Sequence, residues 1–325
     1  MPLTRRESLV ALSAAALGGR LMAQGADAYP QGAVRVVVPF AAGGATDVVA
    51  RMLADKLAER LGQPFVIDNK AGAANVVGNQ FVAKARPDGQ TLLFAAAPLA
   101  LNTALGMKLP YDPLKDFAPV SLVASTPIVI AVHPSRPWTT LKDIVVAAQA
   151  QPGGLSYATA GVGSMPHLLM ESLRARSGAP LVHVGYKGAI PALQDALGGN
   201  VPLIADAYTP TGVQINAGKL RGIAVAARQR SPAMPQVATT AELGFPDLLG
   251  AGFYGLLAPA GTPATVIAKL HAAVTDAFRR SDIGERLVQQ GYEVHASTPR
   301  EYGDHLVREI QRWSATVSAA GVKAE

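Results

Sequence analysis

Nine short apolar runs rich in β-branched residues alternate with helical patterns along this chain, and that alternation constrains the fold more than any other feature. The runs are Val34–Val38, Phe65–Ile67, Thr91–Phe94, Ile128–Val132, Leu155–Ala158, Leu181–Val184, Pro202–Ala205, Arg221–Ala226 and Phe253–Leu257. They are near-continuously apolar, as strands covered by helices on both faces must be. Between them, Val49, Leu53, Leu57 and Leu61 recur every four residues, as do Leu193 and Leu197, each set forming one buried helical stripe. The result is a series of βαβ units, hence an α/β protein built on parallel strands. The C-terminal part reads as helical, with one stripe through Val266, Leu270, Val274 and Phe278 and another through Tyr302, Leu306, Ile310, Trp313 and Val317. Thr298, Pro299 and Glu301 place a cap, a first-turn proline and a capping-box acid at the start of the second stripe. Thr262-Pro263 opens the first stripe in the same way, without the acid.

A length of 325 residues accommodates two domains of ordinary size, and a content of 49% hydrophobic and 16% charged residues supports a large core. With no cysteine, the sequence excludes a disulfide framework, a thiolate metal site and a thiol nucleophile. The six histidines lack metal-ligand spacing, so no metal and no cofactor is expected. The net charge of +6 is dispersed in single or paired Lys and Arg with only 6% aromatics, which argues against nucleic acid and suits anionic small molecules. Residues 1–28 read as a signal peptide: Arg5 and Arg6, an apolar run from Leu9 to Leu17, and a small-residue cleavage site at Ala26-Asp27-Ala28. The stretch Thr4–Val10 also resembles a twin-arginine signal, with Ser8 where such signals carry a large apolar residue; Sec export stays open. The expected location is the periplasm.

Two strand-to-helix loops stand out. The first is Pro39–Asp47, with Gly43 and Gly44 before the helix that carries Val49; Thr46 or Asp47 is expected to cap that helix. The second runs from Thr159 to His167 and contains Gly161, Gly163 and Ser164, with Ser164 as the expected cap and Pro166 in the first turn. Glycine lets backbone approach a ligand, and the following helix offers unpaired N–H groups and partial positive charge to an anion. Neither loop has the spacing of a nucleotide-binding motif. The competing reading is an exported hydrolase with Ser164 as nucleophile and His133, His167, His183 or Asp206 as partners. Against it, Ser164 is not centred in a Gly-x-Ser-x-Gly elbow.

Further segments stand in a fixed order along the chain: Val36-Val37-Val38-Pro39-Phe40, Gly43-Gly44-x-Thr46-Asp47, Leu61-Gly62-Gln63-Pro64, Ala71-Gly72-Ala73-Ala74-Asn75, Ala85-Arg86-Pro87-Asp88-Gly89, Asp116-Phe117-Ala118-Pro119-Val120, Tyr186-Lys187-Gly188 and Ala258-Pro259-Ala260-Gly261-Thr262-Pro263. Together and in this order they resemble the Bug family of receptors of tripartite tricarboxylate transporters. The resemblance implies a two-lobed α/β periplasmic binding protein of the type II, Venus-flytrap kind with two crossover strands. Lobe one is expected from 29–122 plus 226–325 and lobe two from 123–225. It implies a protein that binds a small carboxylate and hands it to the membrane permease of the transporter, or to a sensor, without enzymatic chemistry; a monomer is the default expectation. Carried over, the ligand contacts are Phe40, Ala41, Ala42, Gly43, Gly44 and Thr46 in the first lobe. In the second they are Thr159, Ala160, Gly161, Gly163 and Ser164, with Tyr186 and Asp206 as walls. Ala95-Ala96-Ala97 stands where relatives carry hydroxyl residues, which implies a less polar ligand or one bound through water.

Overall fold

The computed structural model describes residues 29–280 and 282–322; the signal-peptide and twin-arginine readings of residues 1–28 lie outside them. Strands β1 (Val34–Val38), β2 (Phe65–Asn69) and β3 (Thr91–Ala96) are parallel, β1 lying between the other two. Helices α1 (Ala45–Leu61) and α2 (Val76–Ala83) provide their crossovers. Along β1 the expected two-sided burial is present: Val34, Val36 and Val38 enter one core layer and Val37 the other.

After α3 (Pro98–Ala104) the chain enters β4 (Phe117–Val132), the longest strand at 16 residues. Its first part, Phe117 to Pro127, pairs antiparallel with β9 (Ala251–Pro259), and β9 pairs antiparallel with β3. From Ile128 to Val132 it pairs with β7 (Leu203–Ala207) on one side and β8 (Arg221–Val225) on the other. Sequence reading recovered only this second part. Two prolines, Pro119 and Pro127, sit inside β4, and prolines read as punctuation. The ladder absorbs the first by shifting register between Pro119 and Ser121.

The second half repeats the parallel plan. Strand β5 (Leu155–Thr159) lies between β6 (Leu181–Gly185) and β7, and α4 (Leu141–Ala150), α5 (Met165–Ser177), α6 (Ala189–Leu197) and α7 (Tyr208–Asn216) connect the strands. The sheet order is β2-β1-β3-β9-β4-β7-β5-β6, with β8 and β10 (Glu293–Val294) added on β4. The chain thus passes from the first half to the second along β4 and returns through residues 226–250 into β9, in a two-lobed α/β fold.

Three helices close the structure: α8 (Ala264–Arg280), α9 (Ile283–Gln289) and α10 (Pro299–Ala320). The α10 start is the expected capping box, Thr298 Oγ1 accepting from Glu301 N–H while the Glu301 carboxylate accepts from Thr298 N–H. Its stripe buries Tyr302, Leu306 and Trp313, and it packs on both α3 and α5, one from each half. Gly255 in β9 admits the Tyr302 ring where any Cβ would collide with it.

Candidate functional site

The first loop, Pro39–Gly44, is braced from behind. Gly43 has a φ of 82°, in the left-handed region that penalises a Cβ. The helix cap is Gly44, with no side-chain bond, which corrects the expectation of Thr46 or Asp47. Asp47, on the third residue of α1, reaches backward instead. Its carboxylate accepts from Gly43 N–H at 2.8 Å, from Arg51 Nε at 2.9 Å and from Asn69 Nδ2 at 2.9 Å. Burial alone raises the Asp47 pKa, but these donors outweigh it and hold the group down at about 2. Asn69 also donates to the Phe40 carbonyl at 3.1 Å, so loop and helix start are fixed as one unit.

The second loop is fixed by different chemistry. Ser164 caps α5 as expected: its Oγ accepts from His167 N–H at 3.4 Å and donates to the Gly161 carbonyl at 2.7 Å. Gly163 N–H donates to His167 Nδ1 at 3.0 Å, and Gly161 N–H to Thr159 Oγ1 at 3.2 Å. Thr159 Oγ1 is bonded in turn to His183 Nε2 at 2.7 Å, and the His183 ring stacks on His167 with centroids 3.8 Å apart. Burial, aided by His183, pushes the His167 pKa down to about 4, so the imidazole is neutral at pH 7. The Ser164 proton points at a carbonyl and His167 Nδ1 is occupied by a backbone amide, so the nucleophile–base bond of a serine hydrolase is not formed. The hydrolase reading finds no support.

Both loops open on one cavity of about 410 Å³, the size of a small-molecule site. Phe40 and Thr46 line it from the first loop; Ala160, Gly161, Gly163 and Ser164 line it from the second. Among the described residues, the N–H groups of Thr46, Val162 and Met165 have no protein acceptor, and all three residues are on the wall. Thr46 is in the first turn of α1 and Met165 in that of α5, so two helix N-termini meet here, one from each half. No lining side chain carries a formal charge.

The other expected contacts stand back from the cavity. Ala41, Ala42, Gly43 and Gly44 shape the first loop, and Thr159 supports the second, without lining the wall. Tyr186 sends its hydroxyl to Asp195 Oδ2 at 2.6 Å, and Asp206 accepts from Ala207 N–H at 2.8 Å and from the Thr211 hydroxyl at 3.4 Å. Burial lifts the Asp206 pKa to about 6. Sequence reading missed the wall supplied by Leu101, Leu105 and Met107 around α3, and by Phe253 and Tyr254 on β9. One signal was present: Ala74 and Asn75, also on the wall, fall in the Ala71–Asn75 segment singled out for its resemblance. Ala73, Ala74 and Asn75 adopt φ of 44°, 51° and 77°, a strained stretch at the rim of the site.

Comparison with known proteins agrees with this geometry. Residues 49–322 match the model of the tripartite tricarboxylate transporter family receptor. The chain is 37% identical over 300 residues to protein BugT of Bordetella pertussis, covering 92% of each. Among solved structures, R. palustris Rpa4515 with adipate is 32% identical with a TM-score of 0.80, over 91% of this chain and 99% of that one. MatC from Rhodopseudomonas palustris with bound malate is 34% identical with a TM-score of 0.76, over 89% of this chain and 100% of that one. With two lobes, a cleft between two helix N-termini and a match along nearly all of its described length, the chain belongs to the Bug-type receptor family of tripartite tricarboxylate transporters and is a solute-binding protein.

Proposed function

We propose that this protein captures a small carboxylate in the periplasm and presents it, chemically unchanged, to the transporter's membrane permease or to a sensor. The observation that carries the reading is the meeting of the α1 and α5 N-termini, with unpaired amides at Thr46, Val162 and Met165, on one uncharged cavity. Such amides stabilise an anion without the cost of burying a counter-charge. The adipate and malate held by relatives support a carboxylate as the solute. In this reading Phe40, Thr46, Ala160, Gly161, Gly163 and Ser164 face the ligand, while Ala41, Ala42, Gly43, Gly44 and Thr159 set the loops. Tyr186 and Asp206 brace the walls. The lobes divide at 29–122 plus 226–325 and at 123–225, and binding from both sides favours the closed form that a membrane partner recognises. Residues 1–28 serve as the export signal, and the mature chain works as a monomer.

The test is a thermal-shift screen of the mature chain against carboxylates, followed by calorimetry and recovery of the ligand. At a hundredfold excess over Kd, a ligand that binds only the folded state adds about 2.7 kcal/mol of stability. A saturable shift with one acid, recovered intact, is expected. Turnover of the acid, or no shift with any, contradicts the reading.

A further inference from the structure

The wall of the cavity also says what lies behind the ligand's carboxylate. Leu101, Leu105, Met107, Val162, Met165 and Phe253 supply most of its apolar lining. Each polar side chain on the wall except Thr46 already holds a protein hydrogen bond. Asn75 donates to the Pro39 carbonyl; Asn102 donates to the Ala74 carbonyl at 2.7 Å and is bonded to Tyr111. The Ser164 hydroxyl is held by Gly161, and the Tyr254 hydroxyl by Tyr292. Ala96 and Ala97 offer no polar group.

A hydroxylated ligand body brings donors and acceptors that must each be met once water is excluded, and an unmet one costs the full desolvation of that group. Here Thr46 is the one lining hydroxyl that forms no protein hydrogen bond among the described residues. A hydrocarbon or aromatic body needs no such partners and gains from burial against the Leu and Met side chains. An ammonium group has no counter-charge either, because neither Asp nor Glu lines the cavity.

We infer that the solute is a carboxylate with an apolar body, aliphatic or aromatic, and not a sugar acid, a hydroxy-polyacid or an amino acid. The inference rests on the carboxylate reading above and narrows it. On closure, that body joins the apolar side chains of the two lobes into one cluster.

Titration calorimetry on the mature chain with pairs of equal carbon skeleton tests it: hexanoate against gluconate, adipate against galactarate, and hexanamide as the uncharged control. The less hydroxylated member of each pair is expected to bind at least about tenfold tighter. Met107→Ser, at a partly exposed loop position, is expected to weaken hexanoate or adipate about fivefold and leave gluconate and galactarate unchanged. Gluconate or galactarate binding as tightly as its partner overturns the inference and leaves the carboxylate receptor standing. Hexanamide binding as well as hexanoate, or no binding by any acid, overturns both.

Discussion

Leu105, just after α3, lies against Gly163 in the second loop, and in the closure proposed above this contact gives the most exposed prediction. A methyl group added at Gly163 would stand 2.7 Å from Leu105 Cδ1, inside van der Waals contact. Gly163 also has a φ of 72°, so alanine there carries a backbone penalty of about 1 kcal/mol in the left-handed region. That penalty applies whether the cleft is open or closed and lowers stability alone. The clash exists where the lobes meet and falls on the tip of a partly exposed side chain, so its cost is at the low end of overpacking, about 1 kcal/mol. It therefore lifts Kd roughly fivefold. The assay is a cycle of G163A, L105A and the double variant, with Kd from calorimetry and stability from urea unfolding. L105A removes the colliding atoms, so the double variant should bind within about threefold of L105A while keeping the 1 kcal/mol stability loss. If G163A weakens binding equally with and without Leu105, the contact across the cleft is not what restrains closure, and the reasoning fails.

Three further outcomes follow from the site's chemistry. Asp206 has its pKa raised to about 6 by burial, so the folded state holds the proton more tightly than the unfolded one and stability falls as pH rises from about 4 to about 6. Asp206→Asn should therefore stabilise by up to about 3 kcal/mol at pH 7.5 and little at pH 4; an equal change at both pH values would show that charge is not the cause. Asp47 has the opposite sign: its pKa is held at about 2, so its contribution is present above about pH 4 and lost as pH falls toward 2. Asp47→Ala leaves Asn69 and the Gly43 amide without their acceptor and should cost about 2 to 4 kcal/mol in urea unfolding at pH 7, shrinking in acid. Ser164→Ala removes a helix cap, for about 1 kcal/mol, and should leave ligand affinity within a few fold, whereas complete loss of binding would make the hydroxyl a ligand group.

The architecture was legible because apolar runs and four-residue stripes are dictated by burial on both faces of a parallel sheet, and Val34–Val38 followed by Val49, Leu53 and Leu57 is such a pattern. The start of β4 was not, because Pro119 and Pro127 carry a turn signal that the sheet overrides, at Pro119 with a register shift. The two loops were visible through their glycines. Their internal bonding was not: a sequence places Asp47 near a helix start but does not say that it turns back onto Gly43, with Asn69 arriving from β2. The apolar wall was the least visible part. Leu101 belongs to a short helix without a strong stripe, Leu105 and Met107 to the turn and loop after it, and Phe253 looks the same whether its ring meets core or cavity.

Strand β4 has a consequence for how the molecule comes apart. Its residues Phe117 to Pro127 complete the first half, and Ile128 to Val132 complete the second, without a break in the backbone. Neither half owns a full set of hydrogen-bond partners unless the same 16-residue segment is in place, so losing one half strips the other of its central template. The two halves are therefore expected to come apart as one unit, with a single cooperative transition in place of the two that independently folded domains would give.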